Sequence, residues 1–373
     1  MRLDKLWLTD FRSYASAELS LAPGLTAVLG ANGQGKTNLL EAVGWLATMT
    51  SFRSAGNDAL VRAGASSAIV RAEGDNEGRS VLIEAELGAG RTRVQVNRQR
   101  LARARDLLGH LRVTVFSPGD LELVKGGPGE RRRYLDDVLV SLHPRYDAVR
   151  GEVDRVLRQR NALLRQVHGR LDESATITLD VFDAKLATAG DELARLRVAL
   201  VERLSPAVLE AYSAVAVGAE ARGVVGLGYE SSWWGAEGGL AAALAAARTD
   251  DLRRGVSTVG PHRDDLGLEV GGMAARSHAS QGEQRSLALA LRLGSHAVVA
   301  ATVGSPPILL LDDIFSELDP QRSDALLASL PPGQALLTSA VGLPAGAAPE
   351  RVLEVTAVDL PGGGVTSSVE ELP

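Results

Sequence analysis

Residues 30–37, Gly-Ala-Asn-Gly-Gln-Gly-Lys-Thr, lie between an apolar run, "LTAVL", and a helix-like pattern, "NLLEAVGWL". No other feature restricts the possible folds so strongly. The glycines let successive backbone N–H groups turn inward as a nest for phosphate oxygens, and a helix starting near Lys36 adds the positive end of its dipole. In the Gly-x-x-x-x-Gly-Lys-Thr pattern, Gly30, Ala31, Asn32, Gly33, Gln34 and Gly35 form the cradle. Lys36 reaches the β- and γ-phosphates and the Thr37 hydroxyl is a ligand for Mg²⁺. The expected ligand is ATP with Mg²⁺.

A strand–loop–helix of this kind needs an acidic partner at the end of a neighbouring strand. "PPILLLDDIFSELD" supplies one: four apolar residues, Ile308 to Leu311, read as a buried parallel strand ending in Asp312 and Asp313. Asp312 is the candidate Mg²⁺ carboxylate. Asp313 is the candidate catalytic residue, placed to orient or deprotonate a water. Lys36 and Asp312 are 312 − 36 = 276 positions apart, so an insertion splits the core and both ends of the chain build one domain.

Between them, "AIVRAEG", "SVLIEAEL", "TRVQVN" and "RVTVF", within 68–116, read as a small antiparallel sheet. The section from 143 to 214 is helical. Leu179, Phe182, Leu186, Ala189, Leu193, Leu196 and Leu200 are spaced alternately three and four residues apart, and "GRLDES" (169–174) marks a turn between two helices. This insertion is either a plain helical subdomain or a short coiled-coil arm. From 255 the pattern returns to α/β, with a strand and turn at "GVSTVGPHRDD" and further strands at "PILLL" and "ALLTS". The last dozen residues, with "PGGG" and scattered acids, read as a loose tail.

"HASQGEQRSLALALRL" opens a helix with Ser280 and, three residues on, Glu283, the spacing of a capping box. Ser280, Gln281, Gly282 and Glu283 also look like the signature motif of ABC-type ATPases. That resemblance implies a γ-phosphate contact made across a head-to-tail dimer. With "LTDFRSY", "GANGQGKTNLLEA", "SFRS", "FSPGDLELVKGGPGERRRYLDD", "GPHRDD", "SQGEQR" and "LLLDDIFSELDPQR", the chain resembles the bacterial RecF family, related to the heads of SMC-type ATPases, over nearly its whole length. Gly119 stands where that family usually has an acid, and Glu283 where many members have Gln. Asp313 stands where the wider ABC superfamily has Glu.

The fold implied is α/β, an ABC-type P-loop ATPase head with an antiparallel β subdomain and an inserted helical arm. The head is divided between 1–125 and 216–373, with 126–215 as the arm. The function implied is ATP-dependent binding of single-stranded, gapped and double-stranded DNA, with ATP-driven homodimerisation, RecR- and RecO-like mediators as partners, help in loading a recombinase, and weak, DNA-stimulated ATP hydrolysis. An ABC-type motor subunit of a membrane transporter is the alternative; the helical insertion and the RecF-specific motifs argue against it.

Net charge is −6, yet residues 91–112 carry seven Arg and a single acid, Asp106. Arg98, Arg100, Arg103, Arg105, Arg131 and Arg132 are the candidate DNA contacts, binding phosphates without reading sequence. Only four basic residues are lysine (Lys5, Lys36, Lys125, Lys185), a bias of high-GC genomes that lowers the weight of Arg clustering. Arg131, Arg132 and Arg133 equally fit a structural pairing with Asp136 and Asp137. His262 in "GPHRDD" is read as a structural turn residue or a site residue, and Arg12 and Arg53 as nucleotide contacts or surface residues. The six histidines have no metal-ligand spacing and cysteine is absent, which excludes disulfides and thiolate metal sites. No run of about 18 apolar residues occurs and no signal-peptide pattern is visible, so the reading is cytoplasmic, without a membrane.

Overall fold

The computed structural model describes residues 2–76, 78–88, 90–217, 224–359 and 365–373. Its contacts divide into two units: 1–120, 210–221 and 288–373 form the first, and 121–209 with 222–287 the second.

The first unit opens with β1 (Arg2–Phe11) and β2 (Tyr14–Ser20), then β3 (Leu25–Leu29) and α1 (Lys36–Thr48). β4 (Ser67–Asn76), β5 (Arg79–Gly88), β6 (Arg91–Val96) and β7 (Gln99–Arg100) follow, and β8 (Val113–Phe116) ends this part. β1, β2 and β4 to β7 make an antiparallel sheet in the order β2-β1-β4-β5-β6-β7. Alternation along β1 shifts once, at an irregularity between Leu3 and Lys5, which brings Leu3, Leu6 and Leu8 to the buried side.

The second unit holds α2 (Glu122–Lys125), α3 (Pro128–Leu142), α4 (Tyr146–Gln166) and α5 (Glu173–Val215) as far as residue 209. It continues with β9 (Val225–Glu230), α6 (Gly239–Arg254), β10 (Asp265–Val270), β11 (Met273–Ala274), α7 (Ala275–His278) and the first turns of α8 (Gln281–Val303). β9, β10 and β11 form a small antiparallel sheet. The predicted turn between two helices falls between α4 and α5. Of the α5 stripe, Leu179, Leu186, Ala189, Leu193 and Leu200 are buried. The reason is close packing: a methyl at Gly190 would meet Leu240 Cδ2 at 2.4 Å and Pro261 Cδ at 3.2 Å. The sequence assigned 216–287 to the head; in the structure β9, α6 and β10 belong with these helices. Of the expected strand and turn at 255–265, residues 255–264 form no strand, and β10 begins at Asp265.

The chain completes the first unit with β12 (Ile308–Asp312), α9 (Pro320–Ser329), β13 (Ala335–Ser339), β14 (Arg351–Asp359) and β15 (Val365–Glu371). The second sheet of this unit runs β15-β14-β3-β13-β12-β8. From β14 to β8 all pairs are parallel, and β15 joins β14 antiparallel. Every residue of β12 and β13 is buried, because both faces are covered. Leu310 and Leu336 turn into one core with Leu39, Leu40, Val43 and Trp45 of α1 and the apolar side of the antiparallel sheet. Leu309, Leu311 and Leu337 turn into another, with Leu289 and Leu293 of α8 and Leu326 of α9.

Two expectations need correction here. "RVTVF" is not part of the antiparallel sheet: β8 pairs in parallel with β12, Val113 opposite Ile308, since both its faces have apolar cover. The C-terminal residues are not a loose tail either. Residues 361–364, the "PGGG" of that reading, lie outside the described residues, but 365–371 form β15, in register with 353–359 of β14. α8 is long and apolar enough to cross a membrane by length and composition, and 67% of that stretch is buried within the protein.

Candidate nucleotide-binding site

The C-terminal ends of β3, β12 and β13 bring the predicted phosphate loop and the acidic pair together in the first unit. α1 begins at Lys36 with Gly35 as its N-cap at φ 112°, a backbone shape that L side chains rarely adopt. Gly30, at φ 148°, has no room for a methyl, which would sit 2.3 Å from the Val355 carbonyl oxygen. Both glycines are therefore fixed by sterics as well as by chemistry. Gly33 at φ 81° faces open space. Asn32 and Gly33 are at the exposed crest of the loop, and Ala31 supplies a carbonyl to its base.

Lys36 Nζ donates to the Gly30 and Ala31 carbonyls at 2.7 and 2.9 Å. Burial pulls its pKa below the usual lysine value, and the Asp313 and Asp312 charges pull it back up. Thr37 Oγ1 donates to Asp312 Oδ1 at 2.7 Å, and Thr338 Oγ1 donates to the same oxygen at 2.9 Å. Burial raises the Asp312 pKa; the two hydroxyls oppose the rise, and Asp313 adds to it. The hydroxyl–carboxylate pair of Thr37 and Asp312 is the oxygen donor set that a hard divalent cation takes.

Asp313 starts a 3-10 turn, Ile314–Glu317, with φ 47°. Its N–H donates to Thr338 Oγ1 at 2.9 Å. Its buried Oδ1 has no hydrogen-bond partner among the described residues. Such an atom costs free energy unless a ligand or water fills the place, so the site fits a polar guest. Sequence reasoning missed Thr338, which ties the two acids together. Its signal was the polar end of "ALLTS", where Thr338 follows three apolar residues of the same strand.

Behind the loop, charged side chains converge on Glu41 of α1. Arg12 grips Glu41 with two bonds of 2.7 Å and donates to the Ala59 carbonyl at 2.8 Å. Ser51 Oγ also donates to Glu41, and Arg53 lies 3.9 Å from it while donating to Asn38 Oδ1 at 3.2 Å. Glu41 is fully buried. Arg12 thus holds α1 to the "FRSY" segment, and Arg53 remains half exposed at the same edge.

In the second unit, Ser280 and Glu283 form the predicted capping box. The Ser280 N–H donates to Glu283 Oε2 at 2.7 Å, and the Glu283 N–H donates to Ser280 Oγ at 3.2 Å. Ser280 and Gln281 are exposed, with Gly282 and Glu283 half-buried.

The candidate arginines divide into two groups. Arg98 and Arg100 are exposed around β7, and Arg103 is exposed beside Asp106 at 2.9 Å. Arg105 is also exposed. Arg131 is the correction: its side chain is 8% exposed and its fork is held by Asp265 at 2.8 and 2.7 Å, with a further bond to the Gly126 carbonyl. A guanidinium so occupied has no face left for a phosphate. Arg132 is half-buried and donates to the Asp264 carbonyl at 2.7 Å, so it too holds the "GPHRDD" turn to α3. Asp136 pairs with Arg197, and Asp137 with Arg150. Arg133 stays exposed beside Glu130. His262 Nε2 lies 3.1 Å from the Ser257 carbonyl, and burial holds its imidazole down to about 4. That contact lies within the turn itself. Among the described residues, no group of His, Cys, Asp and Glu forms a metal cluster.

Residues 2–335 match the family described as the RecF/RecN/SMC N-terminal domain. The chain is similar to the DNA replication and repair protein RecF of Streptomyces avermitilis, 45% identical over 355 residues, covering 91% of this chain and 94% of that protein. It is 47% identical over 364 residues to the protein of the same name from Frankia alni, with the same coverage. Among solved structures, the recombination mediator RecF with ATP, of the RecFOR pathway, superposes with a TM-score of 0.88 at 27% identity, over 100% of this chain and 98% of that one. The Smc head domain of Pyrococcus furiosus bound to part of ScpA gives a TM-score of 0.57 at 19% identity, over 100% of this chain and 96% of that one, a likeness of fold.

Proposed function

This chain belongs to the RecF family of DNA replication and repair proteins, and from that premise we propose that it is an ATP-operated switch that closes as a homodimer on DNA. The observation that carries the reading is the linked set Thr37–Asp312–Thr338–Asp313 beside the phosphate loop, with Asp313 Oδ1 left without a partner. A motor subunit of a transporter is not favoured, since the curated relatives reported above are RecF proteins.

ATP with Mg²⁺, when bound, supplies a reactive phosphoryl group and the charge that offsets its oxygens. The chain does the rest. Gly30 to Gly35 hold the phosphates by backbone N–H groups, Lys36 adds its ammonium, and Thr37 with Asp312 offers the oxygens for the cation. Asp313 Oδ1 orients a water and accepts its proton. An aspartate reaches less far than the glutamate found elsewhere in the superfamily, so hydrolysis is slow and the bound state persists. Exposed Ser280 and Gln281 offer a helix N-terminus to the nucleotide of a second copy, which supplies the differential affinity that a switch requires. Arg98, Arg100, Arg103 and Arg105 then contact phosphates of gapped or double-stranded DNA, and mediators of the RecO and RecR kind act with it in the cytoplasm.

The test is binding to gapped DNA, with and without ATP–Mg²⁺, across a salt series. Tighter binding with ATP and a steep log–log slope are expected, the slope counting phosphates neutralised. Absence of DNA binding in every condition overturns the reading.

A further inference from the structure

We propose that the C-terminal hairpin β14–β15 positions the phosphate loop, with Ser367 holding the peptide that presents the Gly35 N–H. The proposal rests on the nucleotide-binding reading above. Three observations carry it.

First, β14 outlasts its strand partner. Its parallel register with β3 ends at Glu354 opposite Leu29, where the phosphate loop begins. β14 then continues to Asp359 alongside that loop. The Val355 carbonyl lies where a Gly30 side chain would be, and the Ala357 N–H donates to Gln34 Oε1.

Second, β15 reaches the back of the loop. Ser367 is 4% exposed, and its hydroxyl donates to the Gln34 carbonyl at 2.5 Å. Ser367 Oγ is also 2.7 Å from Ser13 Oγ, which accepts from Asn38 Nδ2 at 2.8 Å. A hydroxyl carries one hydrogen, so with Ser367 committed to Gln34, Ser13 donates to Ser367. The result is a directed chain from Asn38 through Ser13 and Ser367 to the loop. The β15 backbone is anchored beside it, with the Ser367 N–H donating to the Ser13 carbonyl at 2.9 Å.

Third, the neighbouring carbonyl is held in the same way: Tyr14 Oη donates to the Gly35 carbonyl at 3.1 Å. All peptide bonds described are trans. In a planar trans peptide the carbonyl and the next residue's N–H point in opposite directions. Fixing the Gln34 carbonyl from behind therefore aims the Gly35 N–H forward, and fixing the Gly35 carbonyl aims the Lys36 N–H. These N–H groups belong to the cradle. Ser367 is a positioning residue, acting through the loop and not on the nucleotide.

The test measures MgATP affinity and steady-state hydrolysis of the full chain carrying Ser367→Ala, Ser13→Ala or both, together with melting of each without nucleotide. One lost hydrogen bond in this relay raises Kd and KM for ATP about three- to tenfold. kcat stays within about twofold, because the Asp313 end of the site is untouched. The double variant loses less than the two single variants added together, since both act in one chain. Ser13→Ala gives the reading independently if Ser367→Ala folds poorly. An unchanged Kd in Ser367→Ala, or a Kd that rises only in step with a fall in the nucleotide-free melting temperature, overturns the proposal. If the unaltered protein shows no saturable MgATP binding, the nucleotide reading itself falls, and this proposal with it.

Discussion

Lowering the pH from 7.5 to 5 destabilises the first unit through one buried residue, His296 on α8. Its ring is 2% exposed, with Nδ1 3.1 Å from Thr114 Oγ1 of β8 and Nε2 without a partner among the described residues. Burial lowers its pKa from 6.5 to about 4. In acid the unfolded chain therefore takes up this proton first. Stability must fall as pH drops through 6.5, and the loss levels off below 4. At pH 5 the unfolded imidazole is protonated about thirtyfold over neutral, and the folded one about a tenth. The difference is RT ln(33/1.1), or about 2 kcal/mol. His296→Gln removes the titration while leaving an acceptor for Thr114. Hydrogen exchange of peptides from β8 and α8, corrected for intrinsic rates, reports the opening free energy at both pH values. The gap between the unaltered protein and the variant should change by about 2 kcal/mol between them. A gap that does not depend on pH refutes the reasoning.

Five further variants have expected outcomes. Arg131→Ala leaves the half-buried Asp265 without its ion partner and costs about 1–3 kcal/mol of stability in chemical denaturation. Arg98→Ala with Arg100→Ala leaves stability unchanged and lowers the salt slope for gapped DNA by about 2. Asp313→Asn keeps ATP binding and the ATP-dependent dimer while hydrolysis falls about 10²- to 10⁴-fold, and Ser280→Arg binds ATP yet stays monomeric; light scattering with and without ATP reads both. Gly30→Ala, forced against the Val355 carbonyl, abolishes nucleotide binding in calorimetry.

The phosphate loop and Asp312 were legible because their chemistry needs particular residues at particular spacings, and those spacings are local. The α5 stripe was legible for the same reason, since a helix face repeats within one element. The placement of "RVTVF" was not: four alternating residues fit either sheet, and only Ile308, almost two hundred residues later, decides between them. β15 was hidden because Val365-Thr-Ser-Ser-Val is polar enough to read as tail, and its reason to be ordered is the remote loop at Ser13 and Gln34. Arg131 misled because a buried fork and a DNA-binding arginine are the same letter, and Asp265 stands 134 positions away. The capping box and the signature could share Ser280 because a capped helix end and an anion site use the same N–H groups.

The braiding of the parallel sheet has a consequence for how the protein is made. β3 begins at residue 25, but its two neighbours, β13 and β14, begin at 335 and 351. At ribosomal speeds of about 5–20 residues per second, β3 waits roughly 15–60 s for the first of them. During that time "LTAVL" is an apolar strand with both edges open, the kind of segment that chaperones recognise and that aggregation recruits. The antiparallel sheet, closed by residue 100, is complete long before and holds the N-terminal segment in trust. ATP cannot stabilise the growing chain, because Asp312, Thr338 and Ser367 have yet to emerge. Nucleotide competence thus arrives with the final strands, and a ribosome that stalls late leaves a nearly full-length product with an unfinished site.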